Sequence, residues 1–133
     1  MDMKKICKIC YINPKSHSFS KLCEKDNVSI FFTKVSEAEK FDDREGILKH
    51  MDNMLTEHVP NNWAWIFDAD GFEKKHLMQL TLTIDIIKLI NQKYAANLEY
   101  IQIKNSNSLI KNLYSLLTPI LKNVSFSGKV KFD

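Results

Sequence analysis

Asp68, Ala69, Asp70 and Gly71 follow directly on the apolar run Trp63-Ala64-Trp65-Ile66-Phe67, and glycine is scarce in this chain, with three in all. Two carboxylates two residues apart at a strand end have the spacing of a nucleophile and a general acid in phosphoryl transfer. That chemistry also needs a further acidic pair to hold magnesium. Downstream of the motif the acids are Glu73, Asp85, Glu99 and Asp133, and no two of them are adjacent. The chain is therefore not read as an enzyme. A calcium loop fails too: aligning Asp68, Asp70 and Gly71 with that loop puts Ile66 at the first ligand position and Leu77 at the bidentate acid. The role left to Asp68 and Asp70 is to cap the following helix, where carboxylates complement the N-terminal dipole.

A second constellation is Cys7, Cys10, His17 and Cys23, which uses every cysteine in the chain. Four nitrogen and sulfur donors can close a tetrahedral zinc site. Cys7 and Cys10, however, stand three apart in a strand-like alternation and so point to opposite faces. No glycine makes the tight turn of a short zinc knuckle. The thiols are read as half-buried side chains, with no metal and no cofactor assigned. His50, His58 and His76 fall on helix faces without partners at ligand spacing and are read as structural or solvated.

The bulk properties bound the elements that carry these residues. With 133 residues, 44% hydrophobic and 26% charged, the chain suits one globular domain with an ordinary core. A net charge of +3 permits contact with anionic headgroups without requiring it, and no nucleic-acid partner is assigned. No apolar run approaches the ~20 residues that span a bilayer, and Met1-Asp2-Met3-Lys4-Lys5 does not open a signal peptide. Three cysteines without a secretory signal point to the cytoplasm.

Strand-like and helix-like segments alternate. Strands are expected at Lys5–Ile12, Asn27–Val35, Trp63–Phe67, Leu98–Ile103 and Val130–Phe132. A polar, Ser-rich stretch follows the first of them. Helices are expected after Asp42, which has Glu45 in a capping-box position, over Lys75–Tyr94, and over Leu109–Leu121 behind the Asn105–Ser108 cap candidates. The continuous apolar run Trp63–Phe67 reads as a central strand covered on both faces. The order β-β-α-β-α-β-α-β predicts an α/β fold, a largely parallel β-sheet with helices on its faces.

From about Asn27 to Phe132 the chain resembles the CRAL-TRIO family of lipid-binding domains. The match is one of ordered motifs. Trp65-Ile66-Phe67-Asp68-Ala69-Asp70-Gly71-Phe72 is similar to the family's apolar strand ending in Asp-x-x-Gly-Phe. Gln92-Lys93-Tyr94-Ala95-Ala96-Asn97-Leu98 stands where the family has Tyr-Pro-Glu-Arg-Leu, and Tyr100-Ile101-Gln102-Ile103-Lys104-Asn105 resembles its strand ending in Asn. Leu113-Tyr114-Ser115-Leu116-Leu117-Thr118-Pro119-Ile120-Leu121 is similar to its gating helix, and Gly128-Lys129-Val130-Lys131-Phe132 to its last strand.

The resemblance implies one domain over 1–133, with 1–26 as a divergent N-terminal strand and loop. It would lack the family's N-terminal helical domain and C-terminal segment. It implies a pocket for a lipid or other small hydrophobic molecule, with a floor drawn from Trp63, Trp65, Phe67, Phe72, Ile101 and Ile103. The gate would be drawn from Leu113, Leu116, Leu117 and Ile120. The departures bear on the cargo. Ala96 replaces the Glu that contacts an inositol headgroup, and Trp63 and Trp65 fill volume that a headgroup would need. The expected function is binding, transfer or presentation of a lipid at a transient membrane surface. The alternative is a protein-interaction scaffold with a reduced or lost pocket, partnered by a small GTPase or its regulator. Uncovered apolar surface leads to an expectation of homo-oligomers.

Overall fold

A computed structural model describes residues 16–58 and 61–133. The expected strand Lys5–Ile12, with Cys7 and Cys10, lies outside the described residues. The elements run β1 (Ser20–Lys25), β2 (Val28–Lys34), α1 (Arg44–His58), β3 (Asn62–Asp68), α2 (Lys74–Leu77), α3 (Leu80–Leu89), β4 (Leu98–Lys104), α4 (Ser108–Leu121) and β5 (Val130–Phe132). The five strands form one sheet in sequence order. β1 runs antiparallel to β2, and β2 to β5 are parallel. Parallel neighbours cannot be joined by a tight turn and need long crossovers, and α1, the α2–α3 pair and α4 supply them.

β1 was not expected. Every residue in it is exposed, so it carries no apolar alternation to betray it. Its one signal is the turn: Asp26 and Asn27 take φ of 54° and 65°, the left-handed pair that a two-residue hairpin requires and that Asp and Asn tolerate best. The expected helix over Lys75–Tyr94 is broken at Met78–Gln79, where Gln79 leaves the helical region, and ends in a π-helical turn at Ile90–Tyr94. Leu77 and Leu80 keep helical spacing across the break, which is why periodicity hides it. The π turn buries Tyr94, whose hydroxyl bonds the Asp52 side chain and lies 2.8 Å from Thr56 Oγ1, tying the end of α3 to α1.

Two of the expected caps fall elsewhere, and the third, within Asn105–Ser108, stands where it was expected. α1 starts on Asp43 rather than Asp42: Asp43 Oδ1 accepts Gly46 N–H at 3.2 Å, while Oδ2 takes His17 Nε2 at 2.8 Å. A Cβ on Gly46 would fall 2.0 Å from Asp43 Oδ2, so the glycine is what lets this carboxylate fold back. Asp68 and Asp70 do not cap the next helix. Asp68 Oδ1 accepts Asp70 N–H and Asn105 Nδ2–H, both at 2.9 Å, closing the turn after β3 onto the turn after β4. Asn107 is the cap of α4, accepting Ile110 N–H at 3.0 Å and donating to the Ala69 carbonyl at 3.1 Å.

Gly71 sits in this turn at φ +78°, and a Cβ there would meet Ser36 Cβ at 2.6 Å, whereas Gly128 has open space around it. Gly71→Ala therefore adds both a left-handed strain and a collision with the Ser36 side chain. It should destabilise the fold by about 1–3 kcal/mol, with Gly128→Ala close to neutral in the same urea titration. Equal effects at both positions would contradict this.

Two buried histidines add a pH dependence. His50 Nε2–H donates to the Phe19 carbonyl at 2.6 Å, and its Nδ1 is buried without a partner among the described residues. Burial holds the ring below its ordinary pKa of 6.5, with the Phe19 carbonyl opposing and His17 adding to the depression. Burial, then Lys75, lowers His76 likewise. Because the unfolded chain protonates these rings first, their contribution to stability is intact above the ordinary value. It is lost as pH falls below 6.5 toward the folded-state values. The melting temperature should drop between pH 7 and pH 5 and do so less steeply in His50→Gln; an unchanged slope in that variant would refute the assignment.

Candidate ligand-binding cavity

The parallel register lines up two rows of side chains on one face of the sheet. Phe31, Trp65, Ile101 and Val130 are cross-strand partners, and so are Thr33, Phe67, Ile103 and Phe132 one step toward the strands' carboxyl ends. Above these rows lies a cavity of about 180 Å³. Its floor is Thr33, Trp65, Phe67, Ile101, Ile103, Val130 and Phe132, and its roof is the Ile110, Leu113, Tyr114, Leu117 and Leu121 face of α4. Leu82, Ile86 and Ile87 of α3 form one flank, and Ile47 and Met51 of α1 with Phe19 and His17 form the other.

The wall is apolar, and most of its polar atoms are already engaged. Trp65 Nε1–H donates to Thr33 Oγ1 at 2.8 Å, and Thr83 Oγ1–H to the Gln79 carbonyl at 3.1 Å. Aromatic rings follow one another round the floor at 5.0 to 6.4 Å between centroids, from Phe31 through Phe19, Trp65 and Phe67 to Phe72. Gly71 positions the last of these: its turn drops Phe72, 6% exposed, against the cavity. No lysine or arginine lines the cavity among the described residues.

Of the residues expected at the site, Trp65, Phe67, Phe72, Ile101, Ile103, Leu113 and Leu117 meet round this cavity. Trp63 does not reach it. The ring is fully buried deeper in the core, where Nε1–H donates to the Tyr94 carbonyl at 2.9 Å and the indole meets Phe31 edge-on. Leu116 is 58% exposed on the outer side of α4, and Ile120 packs at the margin of the core without lining the cavity. Of the Cys and His set, His17 lines the wall with its Nε2 on Asp43, and Cys23 is exposed on β1.

Sequence reasoning missed Phe19, Phe41 and His76. Phe19 is a lone aromatic in a polar stretch. Phe41 precedes α1 with no periodic partner, and His76, expected to be structural or solvated, is structural: it is 5% exposed, in the wall. The available signal was the capping geometry at Glu73, which turns residue 76 inward.

Comparisons with known proteins bear on the whole arrangement. Among solved structures, the crystal structure of Sfh5 superposes with a TM-score of 0.68 at 11% identity, over 90% of this chain and 48% of that one. The chain thus spans about half of that structure, and at this identity the likeness speaks for the fold. No curated protein matches the sequence. Among the described residues no helix is long and apolar enough to cross a membrane. The model of the CRAL/TRIO domain matches residues 3–133. That match, with its mostly parallel sheet and overlying helices, shows that the chain belongs to the CRAL/TRIO domain family, a family of lipid-binding and lipid-transfer domains.

Proposed function

We propose that this chain binds a small hydrophobic ligand in the cavity between the sheet rows and α4, and presents or transfers it at a membrane surface. The observation that carries the reading is the cavity itself. Its 180 Å³ is lined almost wholly by apolar side chains, and an apolar guest that covers them removes that surface from water.

α4 suits a movable roof. Its inner face lines the cavity, while Leu116 at 58% exposure stands outside, and Met78 at 73% is exposed beside α2. These side chains offer an apolar footing at a bilayer when the helix lifts. Membrane contact of this kind would also enlarge the cavity for a longer cargo.

A second reading is favoured by size. The volume of 180 Å³ falls short of the roughly 300–1,000 Å³ of pockets that enclose drug-sized ligands. A scaffold with a reduced pocket, docking a protein such as a small GTPase or its regulator, accounts for that shortfall.

Native mass spectrometry of protein purified from cells, with uptake of a fluorescent lipid in parallel, separates the two. The carrier predicts a stoichiometric apolar adduct. Leu113→Trp, which fills the roof side of the cavity, should cut uptake about tenfold or more while far-UV circular dichroism stays native. Repeated absence of an adduct, with no uptake by the wild type, would leave only the scaffold.

A further inference from the structure

A guest enclosed by this wall has to enter somewhere, and the wall is not equally thick all round. Most of its side chains are buried, and those in reach of solvent fall at three margins. Phe41, Gln79, Thr83 and Ile86 stand between the start of α1 and the α2–α3 pair. Val35, Phe67 and Ile103 stand at the carboxyl ends of β2, β3 and β4. Tyr114, Val130 and Phe132 stand between α4 and β5. Phe132 lines the cavity and is also 40% exposed, so the wall there is a single side chain thick.

The margins differ in what holds them shut. Across the first, Arg44 Nη2 of α1 meets Asp85 Oδ2 of α3 at 2.5 Å. Further along the same pair, Asp52 accepts Lys93 Nζ–H at 2.8 Å and the Tyr94 hydroxyl. The second is closed by the turn network of Asp68, Asn105, Asn107 and Ser36. Across the third, no hydrogen bond or ion pair joins α4 to β5 among the described residues. The rings of Tyr114 and Phe132 meet there instead, edge-on at 88° with 4.9 Å between centroids.

Both elements at this seam are able to give. β5 is a three-residue edge strand, paired within the sheet to β4 alone. In α4, Pro119 has no N–H for the Ser115 carbonyl, so the helical ladder is interrupted next to Tyr114. Proline positions are where helices bend.

We propose that the seam between α4 and β5 is the entrance of the cavity and that the Tyr114–Phe132 ring pair is its latch: an apolar guest enters and leaves as these two rings part. This rests on the ligand-binding reading above and adds how that site opens.

An engineered cavity of about 150 Å³ accepts benzene, which makes benzene a probe of suitable size for 180 Å³. Its association and dissociation rates with the whole chain, read by NMR exchange at the cavity methyl groups, separate an entrance from an ordinary wall contact. Loss of a wall contact speeds dissociation only, whereas an unlatched entrance speeds association as well. Phe132→Ala and Tyr114→Leu should each raise the association rate about three- to tenfold, the range of one aromatic pair. The double variant should gain no more than either alone. Arg44→Gln, which unties the α1–α3 margin, should associate at the wild-type rate. Melting curves establish that each variant is folded, and Tyr114→Leu tests the latch from the helix side should Phe132→Ala not fold. An association rate unchanged in the ring variants, or raised as much by Arg44→Gln, overturns the entrance while leaving the cavity reading intact. If benzene does not bind the wild type, the cavity reading fails and the inference with it.

Discussion

The register of the parallel sheet is the constraint on which the rest of this molecule depends. Pairing Phe31 with Trp65, Ile101 and Val130, and Thr33 with Phe67, Ile103 and Phe132, gathers four aromatic rings and their apolar neighbours on one face. A one-residue slip in β3 would send Trp65 and Phe67 to the opposite face. Large rings on a twisted sheet cannot be covered evenly by straight helices. α1, α3 and α4 close over the edges of the rows and leave the 180 Å³ space between. The space lies between a floor of mixed aromatic and aliphatic side chains and the Ile, Leu and Tyr114 face of α4.

A second layer of control is the polar turn network at the carboxyl ends of the strands. Asp68 reaches Asn105, Asn107 reaches the Ala69 carbonyl, and the Ser36 hydroxyl donates to the Asp70 carbonyl at 2.9 Å. Three crossover loops are thereby fastened to one another without any of these groups entering the cavity. Their effect on the site is positional. Gly71 can turn with positive φ, Phe72 drops inward, and the Glu73 cap turns His76 after it. Asp68 and Asp70, which in isolation have the spacing of a catalytic pair, act here as structural acceptors.

Much of this was legible in the sequence, for reasons that differ by element. β3 was plain because a strand buried on both faces must be apolar throughout, and α4 because Asn107 caps an unusually wide apolar arc. Phe67, Ile101, Ile103, Leu113 and Leu117 followed from those two elements. β1 was illegible because an edge strand exposed along its length obeys no pattern, leaving only the left-handed Asp26–Asn27 turn to mark it. The break at Met78–Gln79 was hidden by helical spacing that continues across it. Trp63 illustrates a different limit: sequence alternation put it on the same face as Trp65, but only the fold shows that the π turn at Tyr94 accepts its indole N–H and keeps it away from the cavity. His76 was invisible for a related reason, since its environment comes from Phe41 and Phe72, which the sequence does not bring together.

The central claim is that the space between these rows and α4 admits an apolar guest. Xenon enters dry apolar cavities, so methyl NMR under xenon pressure tests this without presuming any ligand. The methyl groups of Ile101, Ile103, Leu113 and Leu117 should shift in a saturable manner while exposed Leu22 on β1 stays unmoved. Uniform small shifts at all of them, or none at the cavity, would contradict the account.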